Sequence, residues 1–155
     1  FLLDYIPKEM HLTIITNSVK VLPEAAKLEN PNLSLICLAG FYNGNNYSLY
    51  GTRTIKSSEE FYPDKTFISC TGVTLNKRLT DISLNEIDTK KAMMDKSEET
   101  YLLVDHTKFE VAGPFFLGNF NEIDCIVTDN FNYTPEVSET LRTITKKHGV
   151  RIITA

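Results

Sequence analysis

Short apolar runs rich in β-branched residues recur along this chain, and each ends abruptly in polar residues or glycine. The sharpest is Tyr101-Leu102-Leu103-Val104, which gives way to Asp105-His106-Thr107-Lys108. Others are Leu12-Thr13-Ile14-Ile15-Thr16 before Asn17-Ser18, Leu33 to Leu38 before Ala39-Gly40, Thr66 to Cys70 before Gly72, and Asp124 to Thr128 before Asp129. Val150 to Ile153 is the last such run. Stretches of helical character lie between them. Short buried strands alternating with helices predict an α/β fold, a mostly parallel sheet with helices on both faces. In open sheets of this kind the strand ends and the turns after them form the crevice where ligands bind.

Local signals place several boundaries. Ser83-Leu84-Asn85-Glu86 reads as a capping box, so a helix is predicted to start there and to run through Met94. Thr134-Pro135-Glu136 supplies an N-cap, a first-turn proline and an acid favoured by the helix dipole. Val137, Leu141 and Ile144 fall on one face of that helix, and Gly149 terminates it. Pro23 belongs in the first turn of a helix ending near Leu28. Phe1 to Pro7 reads as the tail of a helix. Phe41 to Tyr47 reads as a loop, Ser48 to Tyr50 as a short strand, and Gly51 as the start of a helix to about Phe61. Leu75 to Ile82 reads as irregular, and Phe115 to Leu117 as a small strand.

The chain has 155 residues, which fits one domain with a real core. Its formal net charge of -4 gives the whole no electrostatic footprint for nucleic acid. No apolar run approaches the length of a membrane span. Beginning at Phe1 inside an apolar stretch, the chain reads as a piece of a longer protein. Three cysteines, Cys37, Cys70 and Cys125, sit in strand-like runs at no metal or redox spacing. They read as reduced core residues, which suits the cytoplasm. The scattered histidines give no metal spacing either, and nothing calls for a cofactor.

The polar strand ends carry the candidate site. Asn17, Ser18, Gly40, Gly72, Asp105 and Lys108 would lie along one edge of a parallel sheet. Hydroxyls, an amide, glycines for close backbone approach and a lysine suit a small polyhydroxylated anion. Turn formation and helix capping are the competing explanation for each residue taken singly. Lys108 is the sharpest candidate, a compact cation suited to phosphate or sugar hydroxyls, with pairing to Asp105 as its structural alternative. Glu86 and Lys90 lie one turn apart on a helix face shared with Ile87, Met93 and Met94. There a charge must be paired, reach water or meet a ligand. A Glu86–Lys90 pair that fixes the helix against the strand ends is the favoured reading. His106 has no Ser or Cys placed to act with it, so a hydrolytic triad is unsupported. Lys146 to Arg151 reads as a solvated helix terminus.

An ordered set of motifs carries a family resemblance. It comprises Thr13-Ile14-Ile15-Thr16-Asn17-Ser18, Leu38-Ala39-Gly40, Asp64-Lys65-Thr66-Phe67 and Gly72, then Glu86 with Lys90-Lys91-Ala92-Met93. Leu103-Val104-Asp105-His106-Thr107-Lys108-Phe109 and Asp124-Cys125-Ile126-Val127-Thr128-Asp129 complete it. The chain resembles the C-terminal effector-sensing domain of the DeoR-type bacterial sugar-metabolism repressors. That resemblance implies a fold shared with ribose-5-phosphate isomerase and the CoA-transferase group. It also implies a regulator, not an enzyme, that senses a phosphorylated sugar or related metabolite and forms a homo-oligomer. DNA would be bound only through an N-terminal winged helix outside this chain. The family's Asp-Ser-Gly-Thr-Thr loop, expected to hold phosphate, is missing here, and its Gly-Gly appears as Ala39-Gly40. A glycine usual near Arg78 is also missing. The alternative is a sugar-phosphate isomerase on the same fold. Against it, Phe67 stands where the isomerases place a second carboxylate needed for proton transfer.

Overall fold

In a computed structural model of the protein, the structure describes residues 2–129 and 132–155. The chain divides into two compact units, residues 1–60 and 61–155.

The first unit opens with a 3₁₀ turn at Leu2–Tyr5, where the sequence predicts the tail of a helix. Strands β1 (Leu12–Thr16) and β2 (Leu33–Cys37) are parallel neighbours, with Leu12 opposite Leu33 and Thr16 opposite Cys37. Helix α1 (Val21–Ala26) connects them and holds Pro23 in its first turn, where the missing N–H costs nothing. A hairpin follows, with β3 (Phe41–Asn43) antiparallel to β4 (Ser48–Tyr50), and then α2 (Thr52–Ser58). The sequence reading assigns the first arm of this hairpin to a loop. Its asparagines do form the turn, since Asn43 Oδ1 accepts from Asn45 N and Asn46 Oδ1 accepts from Ser48 N. The arm itself, Phe-Tyr-Asn, is too short and too exposed to show an alternating pattern.

The second unit contains the whole of the main hydrophobic core, built around Val73, Leu79, Leu102, Leu117, Phe120, Ile126 and Ile144. Its strands are β5 (Lys65–Ile68), β6 (Gly72–Thr74), β7 (Arg78–Asp81), β8 (Glu99–Leu103), β9 (Phe115–Gly118), β10 (Cys125–Thr128) and β11 (Arg151–Thr154). Four of them form a wholly parallel sheet in the order β11-β10-β8-β5. Helix α3 (Leu84–Met94) lies in the crossover from β5 to β8, and α4 (Pro135–His148) in the crossover from β10 to β11. The fold is therefore α/β with a mostly parallel central sheet.

The two faces of the four-stranded sheet differ. Thr66, Ile68, Thr100, Leu102 and Ile126 share one face by register and are buried. On the other face Phe67 stacks against Tyr101 with ring centroids 5.2 Å apart, and Phe67 and Ile153 remain 42% and 46% exposed. Glu99 joins Lys65 and Arg151 on that face at 3.5 Å and 3.2 Å.

An antiparallel sheet in the order β6-β7-β9 carries the segment that the sequence reading leaves irregular. Leu79 is fully buried, and Thr80 and Asp81 nearly so. Polar residues hide the strand in the sequence, but pairing on both sides satisfies its backbone. Strand β9 is one edge of this sheet, and Phe115 and Phe116 on it are exposed.

The helix ends follow their signals unevenly. Thr134 Oγ1 accepts from Val137 N at 3.3 Å, Pro135 opens α4, and Gly149 closes it at φ 72°. Helix α3 does begin at Leu84, but the Ser83 side chain makes no capping hydrogen bond, so the predicted capping box does not form. Cys70 and Cys125 are buried as expected, whereas Cys37 is exposed on β2.

Candidate functional site

Each unit brings part of the predicted set together. In the first, β1 and β2 run parallel, so Asn17-Ser18 and Leu38-Ala39-Gly40 leave from the same end of the pair. The Asn17 backbone carbonyl accepts from Leu49 N at 2.7 Å, and its Nδ2 donates to Leu49 O at 3.1 Å. Ser18 N donates to Thr16 Oγ1, and Ser18 bridges to Ser48 on the hairpin. Gly40 has φ 154°, and a Cβ there would stand 2.0 Å from Thr54 Oγ1 and 2.7 Å from Tyr50 O. Close approach of the backbone already requires this glycine, before any ligand is considered.

In the second unit Gly72, Asp81, Lys90, Asp105 and Lys108 gather at or beside the carboxyl ends of β5 and β8. Gly72 opens β6, and a Cβ on it would meet Val111 O at 2.0 Å. Val73 forms a parallel bridge with Phe109, which draws the 3₁₀ turn His106–Lys108 alongside β6. Glu110 N donates to Val73 O at 2.9 Å and fixes that approach. The buried Cys70 thiol sits among these groups. Burial pushes its pKa up to about 12, Lys90 and Lys108 pull it down, and Asp81 adds to the rise.

Lys90 finds a partner that the sequence reading overlooks. Its Nζ lies 2.5 Å from Asp81 Oδ2, and the two side chains are only 21% and 7% exposed. Asp81 Oδ1 accepts from Thr71 Oγ1 at 2.9 Å and from Ile82 N at 2.8 Å. Glu86 lies one helical turn before Lys90 on α3 and is partly exposed. The signal for Asp81 was slight, a single acid closing a stretch without periodicity.

Asp105 and Asp129 end adjacent strands, β8 and β10. Asp105 accepts from Thr107 Oγ1 and from Thr107 N, and these donors hold its carboxyl below the usual aspartate range. Asp129 faces His106 Nδ1 and accepts from His106 N at 2.7 Å, and the His106 side chain is the chief cause of its lowered pKa. Lys108 makes no ion pair among the described residues. The arrangement offers ionised acceptors, ammonium donors and hydroxyls to a small polar molecule. It offers no activated nucleophile, because the Cys70 thiol stays protonated. Among the described residues no cluster of His, Cys, Asp or Glu could hold a metal ion, and no helix is long and apolar enough to cross a membrane.

Comparison with known proteins bears on the family resemblance. A family model described as the DeoR C terminal sensor domain matches residues 1–130. The HTH-type transcriptional regulator IolR of Bacillus subtilis (strain 168) is 35% identical over 132 residues, 82% of this chain and 50% of that protein. The L-fucose operon activator of Haemophilus influenzae is 26% identical over 125 residues, 81% of this chain and 49% of that protein. The deoxyribose operon repressor of Escherichia coli (strain K12) is 26% identical over 129 residues, 83% of this chain and 50% of that protein. The chain spans about half the length of these curated relatives. All three are named as regulators, a non-enzymatic role, in line with the expectation that this chain is not an enzyme.

Proposed function

The chain belongs to the DeoR C-terminal sensor domain family, and from that premise we propose that it senses a phosphorylated sugar or related metabolite for a transcriptional regulator. Asn17, Ser18, Gly40, Gly72, Glu86, Lys90, Asp105 and Lys108 are the proposed effector-binding residues. The observation that carries the reading is the gathering of Gly72, Lys90, Asp105 and Lys108 at the strand ends of the second unit. Relatives named for an L-fucose and a deoxyribose operon support a sugar-derived effector. The same reading makes this part of the protein the oligomerising one and assigns DNA contact to a winged helix elsewhere in a cytoplasmic regulator. An effector shifts the DNA-bound population only through different affinities for two states.

Calorimetric titration with a panel of pentose and hexose phosphates tests this. One or more members should bind, and Lys108→Ala should weaken that binding at least about tenfold, the scale of one lost charge-assisted contact. No binding across the panel would remove the sensing role, and binding indifferent to Lys108→Ala would move the site elsewhere.

A further inference from the structure

The strand ends of the second unit are not a cationic cradle. Three carboxylates, Asp81, Asp105 and Asp129, stand there against two ammonium groups, Lys90 and Lys108. Lys90 spends its charge on Asp81 at 2.5 Å in a largely buried pair. Asp81 is itself held by Thr71 Oγ1 and Ile82 N, so the Lys90 ammonium is set in place by a network running through β6 and β7. Donors from Thr107 and His106 favour the ionised forms of the other two carboxylates. With Asp81 and Lys90 neutralising each other, a phosphate dianion entering here would meet the carboxylates of Asp105 and Asp129, the second already paired with His106, and one cation, Lys108, that makes no ion pair among the described residues. A sugar hydroxyl would meet ionised acceptors with spare lone pairs and the remaining N–H donors of Lys90.

We infer that Asp81 is a positioning residue. It neutralises and aims Lys90, so that these strand ends read the carbon-bound hydroxyls of the effector and not its phosphate. This rests on the effector site proposed above and adds to it the class of group recognised there. Lys108 is the cation nearest in character to an anion reader, and the phosphate lies toward it or beyond it. Replacing Asp81 by an amide of the same shape keeps an acceptor for Thr71 and Ile82 but releases the charge of Lys90. Selectivity between bare phosphate and sugar phosphate then changes, which a purely structural role for Asp81 does not predict.

The test is amide NMR of the labelled protein, following Gly72, Ile82 and Thr107, with inorganic phosphate and with the sugar phosphate that binds in the calorimetric panel. In the native protein the sugar phosphate should shift these amides and inorganic phosphate should not. In Asp81→Asn, inorganic phosphate should shift them with an affinity about tenfold above native, while the sugar phosphate loses about as much. Inorganic phosphate shifting the native amides as strongly as the sugar phosphate would overturn the inference and leave the effector site standing. So would a well-folded Asp81→Asn whose two affinities are both unchanged. Calorimetric binding that leaves the three amides still would also overturn it. No binding by any panel member would remove the effector site, and this inference with it. Should circular dichroism show Asp81→Asn unfolded, the native comparison still decides, and Thr71→Val loosens the same carboxylate more gently.

Discussion

At the scale of single residues, two glycines illustrate how packing and binding compete as explanations. Gly72 and Gly40 suit close backbone approach to a ligand, yet each lies under backbone or side-chain oxygen that a methyl group would strike. Gly72→Ala should therefore destabilise by about 1–3 kcal/mol through overpacking, seen as a lower urea midpoint with unchanged slope. The cysteines separate by surroundings. Cys37 is exposed, while burial lifts the thiol pKa of Cys70 to about 12 and raises that of Cys125. A thiol reagent at mildly alkaline pH should label Cys37 quickly and the other two only on unfolding. Rapid labelling of Cys70 in the native protein would contradict its burial. Asp105 and Asp129 titrate below the ordinary aspartate value, for the donors named above. A depressed carboxyl gives stability that is fully present above its unfolded value, about 3.9, and is lost as pH falls through the folded value. Acid titration should show that loss below about pH 4, and Asp105→Asn should flatten it. An identical acid limb in the variant would exclude Asp105 as a contributor.

At the scale of elements, legibility tracked periodicity. Strands β1, β2, β5, β8 and β10 announced themselves as apolar runs of the kind parallel strands carry, although only β10 is mostly buried and β5 and β8 bury alternate residues. Helix α4 announced itself through Thr134, Pro135 and Gly149, and its buried face holds Val137, Leu141 and Ile144 as predicted. Thr134→Ala should cost about 1 kcal/mol by loss of the cap, and Gly149→Ala a similar amount because φ is positive there. Thermal unfolding measures both. Strands β3 and β7 were hidden, since one is three residues long and the other carries threonine and aspartate inward. With β7 unseen, Asp81 could not be seen either, and Lys90 was assigned to Glu86 by helical spacing alone. The strand ends on which the proposed site draws were legible from sequence. The partner that sets their charge was not, because it reaches α3 across a strand pairing with no sequence signature.

At the scale of the molecule, the core is unevenly distributed. The main cluster lies wholly within residues 61–155, whereas among the described hydrophobic residues of the first unit only Leu3, Ala25 and Leu38 are buried. A 60-residue segment with so little apolar burial is marginal, while the larger unit has two sheets and two α-helices among its described residues. Residues 61–155 expressed alone should give dispersed amide spectra and cooperative unfolding, and residues 1–60 alone should not. A cooperative transition from the shorter piece would show that its stability comes from something other than buried hydrocarbon. The margin at β9 has its own outcome. Its outer backbone groups have no strand beside them among the described residues, and two phenylalanines flank them. Such a border recruits like borders in crowded solution. Concentrated samples should grow turbid from there first, and Phe116→Lys should keep them clear for longer.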